Sequence, residues 1–103
     1  MTYIFSVVYP QGAKFDMDYY LATHMPLVQK MWAPYGLKSW KVAHYTNPDA
    51  PYVVHAWLEW ESKEHADKGT ASSGGATVFA DVSKFSDKSP IPMTGEQVGS
   101  ASW

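Results

Sequence analysis

The chain has 103 residues, 46% of them hydrophobic, with a formal net charge of −2 and no cysteine. This length and apolar content predict one folded domain over residues 1–103 and exclude a disordered chain. The slight acidity excludes a general nucleic-acid-binding surface, which needs a basic excess, and the absence of cysteine excludes disulfides, thiolate catalysis and cysteine zinc sites.

The N-terminal segment lacks the basic and apolar regions of a secretion signal, and no apolar run is long enough to span a bilayer. We therefore expect a cytoplasmic protein without a membrane partner. Aromatic residues make up 16% of the chain, including five Trp and seven Tyr. A core this small does not hide so many aromatic rings. The surplus is expected to face a ligand, a partner subunit or water.

The first predicted elements are a strand over residues 2–9 and a helix that begins at Asp16. The strand is rich in β-branched and aromatic residues on both faces, so we expect it to be covered on both sides. Asp16 is a favourable N-cap, and an apolar stripe at helical spacing contains His24. Pro26 has no N–H for the carbonyl four residues earlier, which predicts a kink and a polar spot beside His24. Gly36 is the predicted helix stop.

Residues 37–45 and 52–60 predict a β-hairpin, because a loop rich in turn-forming residues separates two strand-like runs. One register gives an aromatic pair, an ion pair and an apolar pair at once, which cross-strand pairing favours. Its pairs are Tyr45–Tyr52, Trp40–Trp57, Lys38–Glu59 and Leu37–Trp60. The same register collects on one face Lys38, Trp40, Val42, His44, Val53, His55, Trp57 and Glu59.

The C-terminal half predicts a second βαβ unit. Ser62 is a favourable N-cap for a short helix that runs to about Ser72. Residues 72–75 read as the most flexible stretch, and residues 76–81 as one or two further helical turns. Residues 91–98 predict a fourth strand, which Pro92 confines to an edge or a bulge. This order of strands and helices along the chain predicts an α+β protein with a ferredoxin-like, antiparallel four-stranded sheet and helices on one face.

Helices on one face leave the other face of the sheet open. In the predicted register that open face exposes Trp40, Val42, His55 and Trp57. Monomers rarely keep an exposed apolar patch of this kind, and two sheets packed face to face would bury it. The sequence therefore predicts a homodimer with these four residues at its interface.

Several short motifs resemble the EthD family. They are Tyr9-Pro10, Phe15-Asp16, Tyr19-Tyr20, Thr23-His24-Met25-Pro26-Leu27-Val28, Gly36-Leu37 and Asp81-Val82-Ser83-Lys84-Phe85-Ser86-Asp87. The resemblance covers nearly the whole chain. It implies a dimeric α+β barrel, the fold of cofactor-free antibiotic-pathway monooxygenases, polyketide cyclases and muconolactone isomerases, and a role in xenobiotic degradation or secondary metabolism. Some EthD-like proteins are dehydratases of polyketide-type aromatics and many have no known reaction, so the family does not fix the function.

His24 is the candidate catalytic group, because histidine exchanges a proton near neutral pH. Tyr20, one helical turn earlier, is placed to donate to the same substrate oxygen. The alternative is structural, with His24 bonded to the carbonyl that Pro26 leaves free. Both interpretations stay open. His44 and His55 share a face in the predicted register without a third ligand, so interface histidines are favoured over a metal site.

The candidate walls of a flat apolar ligand pocket are Trp32, Tyr45, Tyr52 and Trp60. Core packing is the alternative, above all for Trp60. No Ser-His-Asp order, phosphate loop or dinucleotide fingerprint is present, so no cofactor and no metal are expected. Two functions remain. One is a cofactor-independent lyase, cyclase or isomerase that acts on a small hydrophobic or aromatic compound, and the other is a non-catalytic carrier of such a compound.

Overall fold

The computed structural model describes residues 2–103. Its four strands are β1 (Tyr3–Pro10), β2 (Leu37–His44), β3 (Tyr52–Trp60) and β4 (Ile91–Glu96). They form one antiparallel sheet in the order β2-β3-β1-β4, which places β4 at an edge, where the missing N–H of Pro92 is tolerated. The predicted ferredoxin-like plan is therefore confirmed.

Helical segments connect the strands. They are α1 (Met17–Tyr19), a π-helical turn (Tyr20–His24), α2 (Met25–Trp32), α3 (Lys63–Ala71) and α4 (Ser73–Ala80), with 3₁₀ turns at Ala33–Tyr35 and Asp81–Lys84. Within residues 2–103, none of these helices has both the length and the apolar character needed to cross a bilayer.

The core lies between the helices and one face of the sheet. Side chains alternate along β1, so every second residue points towards the helices. These residues and their partners on β3 are Tyr3 with Trp60, Phe5 with Leu58, Val7 with Ala56 and Tyr9 with Val54. On β3 the side chains of Val54, Ala56 and Trp60 are completely buried. The helix-side face of the two central strands is therefore continuously apolar.

The first helical segment begins and ends as its sequence predicts. The Asp16 carboxylate accepts the backbone N–H of Tyr19 at 3.0 Å and caps α1. Gly36 ends the segment with a φ of 106°, a left-handed conformation that glycine adopts without steric cost.

The kink predicted at Pro26 takes the form of a π-helical turn. The N–H of Met25 donates to the carbonyl of Tyr20, five residues back, so one extra residue is accommodated before Pro26. Pro26 then lies in the first turn of α2, where its missing N–H is not needed by the helix. The turn holds Tyr20 and His24 on the buried side of the segment. Single π turns of this kind are frequent at functional sites.

The predicted register of β2 and β3 is correct only at Leu37, which lies opposite Trp60. The ladder is shifted after that pair, so Ser39 and not Lys38 lies opposite Glu59. The Ser39 hydroxyl donates to the Glu59 carboxylate at 3.1 Å, in place of the predicted ion pair. Bulges are common on edge strands, and this one leaves the Lys38 side chain in solvent.

Because of this shift, every later side chain of β2 points to the face opposite the predicted one, which changes the predicted dimer interface. Trp40 and Val42 lie on the helix-side face, partly buried against the core, so their assignment to the open face is wrong. His55 and Trp57 do lie on the open face, with ring centroids 3.7 Å apart. His44 lies on the opposite side of the sheet from His55, so the two histidines do not share a face.

Of residues 72–75, predicted as a flexible stretch, Ser73, Gly74 and Gly75 form the first turn of α4, and Ser72 is the extended residue between α3 and α4. Ser72 ends α3, and its hydroxyl accepts the N–H of Gly75 at 3.2 Å to cap α4. A side chain at Gly75 would collide with the backbone carbonyl of Thr70. The serine and glycine residues therefore form a tight corner between two helices.

Candidate functional site

A cavity of about 270 Å³ lies between the helical layer and the sheet. Most of its wall is aliphatic or aromatic, and no lysine, arginine, aspartate or glutamate contributes to it. The lining residues are Phe5, Val7, Tyr9, Tyr20, His24, Met25, Val28, Trp32, Ala56, Leu58, Val78, Phe79, Val82, Pro90 and Pro92. A concave apolar space with few polar groups is typical of small-molecule sites.

His24 is tied to the wall of this cavity by Asp81. Its exposed fraction is 4%, and its Nδ1 lies 2.9 Å from Oδ2 of Asp81. The other carboxylate oxygen, Oδ1, accepts the Tyr19 hydroxyl at 2.8 Å and lies 3.6 Å from Nζ of Lys84. Because both oxygens have partners, the carboxylate is fixed in orientation and fixes the imidazole in turn.

The protonation states follow from this geometry. Burial by itself raises the pKa of Asp81, but hydrogen bonds from His24 and Tyr19, with the charge of Lys84, bring that pKa below its usual value. An ionised carboxylate only accepts hydrogen bonds, so His24 carries its proton on Nδ1. Burial lowers the pKa of His24, and Asp81 offsets this only in part. The imidazole is therefore neutral at pH 7.

The second ring nitrogen of His24 is the reactive one. No group in residues 2–103 forms a hydrogen bond with Nε2, whereas Nδ1 is committed to Asp81. A neutral imidazole whose Nδ1–H is held by a carboxylate presents a basic lone pair on Nε2, the arrangement of a general base. Asp81 acts through His24 and is a positioning residue.

Tyr20 lies beside His24, as predicted. The two rings stack with centroids 5.4 Å apart and planes 14° apart. Burial raises the pKa of Tyr20, so its hydroxyl remains a neutral donor at physiological pH. Tyr20 lines the cavity, and its hydroxyl has no hydrogen bond within residues 2–103. The structure thus brings both predicted catalytic side chains to one site.

No protein-family model matches the chain, and no curated protein matches its sequence. Solved structures do match. An EthD-like protein from Ralstonia eutropha superposes with a TM-score of 0.82 at 25% identity, over 98% of this chain and 96% of that one. An EthD family protein from Bacillus halodurans gives a TM-score of 0.77 at 23% identity, over 95% and 100%. The resemblance to the EthD family is confirmed.

A structure with lower sequence identity also shares the fold of this chain. A dimeric ferredoxin-like protein of unknown function from Thermobifida fusca superposes with a TM-score of 0.64 at 9% identity, over 94% of this chain and 92% of that one. At this identity the match concerns the fold alone.

The four predicted ligand-binding aromatic side chains do not converge on one site. Trp32 lines the cavity. Trp60 is completely buried behind it, with ring centroids 5.4 Å apart, and belongs to the core. Tyr45 and Tyr52 line a separate depression on the open face of the sheet, together with His55. A wall of Tyr45, Tyr52 and Trp60 around one ligand is therefore not what the structure shows.

Asp81 was not recognised from the sequence. It lies 57 positions from His24, so no local pattern connects the two. The one signal in the sequence was that Asp81 begins the motif Asp81–Asp87, which resembles the EthD family. The structure adds that Asp81 is the C-cap of α4, where the helix dipole disfavours negative charge, and that it is buried, which is unusual for aspartate. A carboxylate in such a place needs a hydrogen-bonding partner.

The buried histidine makes stability depend on pH. Burial holds the pKa of His24 below 6.5, so below about pH 6.5 the unfolded chain binds a proton that the folded chain does not. We expect the free energy of unfolding to fall as the pH falls from 7 to 5. Burial also lowers the pKa of His55, which adds to the effect. Chemical unfolding across this range should show a smaller slope for His24→Gln than for the wild type, and an equal slope would contradict the prediction.

Proposed function

We propose that this EthD-like protein binds a small hydrophobic or aromatic metabolite in the cavity and acts on it as a cofactor-independent lyase, cyclase or isomerase. His24 is the general acid/base, Tyr20 is a donor to the ligand, and Asp81 positions the imidazole. The observation that carries the proposal is the 2.9 Å contact between His24 Nδ1 and Asp81, which leaves Nε2 available at the wall of an apolar cavity. The resemblance to EthD family proteins supports the further proposal of a role in xenobiotic degradation or secondary metabolism.

The lining of the cavity limits the ligand class. A volume of about 270 Å³ is at the lower end for small-molecule sites and suits a compound of about two fused rings. Aromatic walls from Tyr20, Trp32 and Phe79 favour a flat ring system. No cationic side chain lines the cavity, so a ligand with a phosphate or carboxylate group in it is disfavoured.

A non-catalytic carrier is the second candidate. His24 packs against two aromatic rings, Tyr20 at a centroid distance of 5.4 Å and Phe85 at 4.4 Å. Such packing, with the bond to Asp81, is also what a structural histidine needs. In this case the cavity still binds the ligand, but His24 transfers no proton.

Histidine NMR spectra with and without 2-naphthol test the binding site. This bicyclic probe fits the proposed cavity, so we expect the His24 ring signals to shift on addition of 2-naphthol. His65 is the internal control, since its side chain is exposed and lies outside the cavity lining. Binding without any change at His24, or no binding of this probe or of related bicyclic aromatics, would contradict the proposal.

We also propose that the protein forms a homodimer through the open face of the sheet. That face carries Val53, His55 and Trp57 of β3 and Ile91 and Met93 of β4. Ile91 and Met93 are 42% and 48% exposed, an unusual state for large apolar side chains on a sheet. Packing against a second copy would bury them, and the neighbour from Thermobifida fusca, which shares the fold, is described as dimeric.

Trp57→Glu tests the dimer. A carboxylate in the centre of the open face would have to be desolvated on association, so we expect this variant to be monomeric at concentrations where the wild type is dimeric. Sedimentation velocity measures the mass. The control is Tyr35→Glu, at a position that is 41% exposed outside the sheet. An unchanged dimer mass for Trp57→Glu would rule out this face as the interface.

A further inference from the structure

Two tyrosine rings meet at the cavity, from different parts of the fold. Tyr9 comes from β1 and Tyr20 from the π-helical turn. Their exposed fractions are 2% and 1%, and their rings meet edge to face with centroids 5.9 Å apart. Both residues line the cavity together with His24. The base and the two phenols therefore surround one space.

Neither hydroxyl has a hydrogen-bond partner among residues 2–103. No hydrogen bond within residues 2–103 involves either phenol oxygen, in contrast to Tyr19 and Tyr45. In residues 2–103, the side-chain polar atoms that are both fully enclosed and without a hydrogen bond are ring nitrogens of Trp32, His55 and Trp60. The two phenol oxygens do not belong to this set. The two hydroxyls thus keep contact with open space, and the cavity is the space that their residues line.

The two phenols have the properties of an oxyanion site. Burial raises the pKa of each, so both remain protonated donors across the physiological range. No lysine or arginine lines the cavity to neutralise a negative charge on a ligand. Preorganised neutral donors in an apolar site stabilise a developing oxyanion strongly, because they need no reorganisation when the charge forms.

Resting on the function proposed above, we propose that the substrate is an aryl ketone. Tyr9 and Tyr20 together bind its carbonyl oxygen, while His24 removes a proton from the carbon beside the carbonyl and so converts the ketone into its enolate. Nε2 of His24 takes the proton from that carbon. The C–H electron pair forms the new C=C bond, and the C=O π pair moves onto oxygen. The resulting enolate oxygen accepts both phenol O–H groups, while Nδ1–H stays bonded to Asp81.

The same groups complete the reaction. His24, now protonated on both nitrogens, returns the proton either to the oxygen or, in a substrate with a double bond conjugated to the enolate, to the far carbon of that double bond. The first path releases the enol and the second an isomer, and both restore neutral His24. Each path transfers one proton from one atom of the substrate to another, so no oxidant or co-reactant is required.

2-Naphthol tests the oxyanion site, because its ionised form resembles an enolate on an aromatic ring and has a distinct absorption spectrum. We expect bound 2-naphthol to have a pKa at least one unit below its value in water. Tyr9→Phe and Tyr20→Phe should each reduce the preference for naphtholate over naphthol by roughly tenfold, since each removes one hydrogen bond to a charged oxygen. Tyr3→Phe is the matched control, as Tyr3 lies on the same face of β1 and outside the cavity lining.

The outcomes separate this inference from the proposed function. If 2-naphthol binds with its pKa unchanged, or if both phenylalanine variants bind it as the wild type does, the oxyanion site is wrong and the cavity remains a binding site. If neither naphthol nor related aromatics bind, the proposed function fails and this inference fails with it. The wild-type pKa of bound naphthol decides the question even if one variant does not fold.

Discussion

His24→Ala is expected to slow the exchange of deuterium into a bicyclic aryl ketone by roughly 10²–10⁴-fold, the usual contribution of a general base. 1-Indanone in deuterated water is a suitable substrate, because the hydrogens beside its carbonyl are acidic and proton NMR follows their loss directly. Without the imidazole, no other base from residues 2–103 lines the cavity. The remaining exchange should approach the rate in buffer.

The same variant should also be less stable. Removing His24 leaves the buried Asp81 carboxylate without one of its two close donors, at a cost of about 1–3 kcal/mol and several degrees in melting temperature. His44→Ala is the control, because His44 is exposed and on the edge strand. Exchange at the wild-type rate in folded His24→Ala would exclude this histidine as the base. If 2-naphthol still bound to that variant, the carrier function would be favoured.

Features set by neighbouring residues could be predicted from the sequence. The N-cap at Asp16, the stop at Gly36 and the alternation along β1 each depend on a few adjacent side chains and backbone angles. His24 and Tyr20 were found for the same reason, since residues four apart in a helical segment lie side by side.

The β2–β3 register shows where pairing preferences stop being informative. The pairs Trp40–Trp57 and Lys38–Glu59 are chemically favourable, yet a bulge at Lys38 replaces both. The chemical preference of individual cross-strand pairs does not reveal that one strand contains an extra, bulged residue. β2 is an edge strand, and edge strands tolerate such a bulge. The helix-side packing of Trp40 is a property of the whole fold and not of the hairpin.

The site shows the same limit. Asp81 reaches His24 only because the 3₁₀ turn after α4 returns to the first helical segment, a contact across 57 positions. Tyr45 follows β2 and Tyr52 begins β3, but both line a depression on the face of the sheet away from the cavity. Which aromatic rings surround one space is decided by the folded layers, and residue type alone does not reveal it.

Asp81→Asn is expected to slow the same deuterium exchange by about two orders of magnitude while the cavity still binds 2-naphthol. The substituted amide donates an N–H to Nδ1 of His24 and accepts the Tyr19 hydroxyl, so the side chain stays in place. His24 must then carry its proton on Nε2, where it blocks the lone pair that takes the substrate proton. Nitrogen-15 NMR of the imidazole distinguishes the two tautomers.

This variant separates a catalytic His24 from a structural one. A histidine that only supports the fold would show the change of tautomer and a loss of stability, but proton transfer in the cavity would be unaffected. A catalytic His24 makes the exchange rate follow the tautomer. Asp67→Asn is the matched control, because Asp67 pairs with Lys63 at 2.8 Å on the exposed side of α3. Unchanged exchange in Asp81→Asn with the proton on Nε2 would show that His24 is not the base.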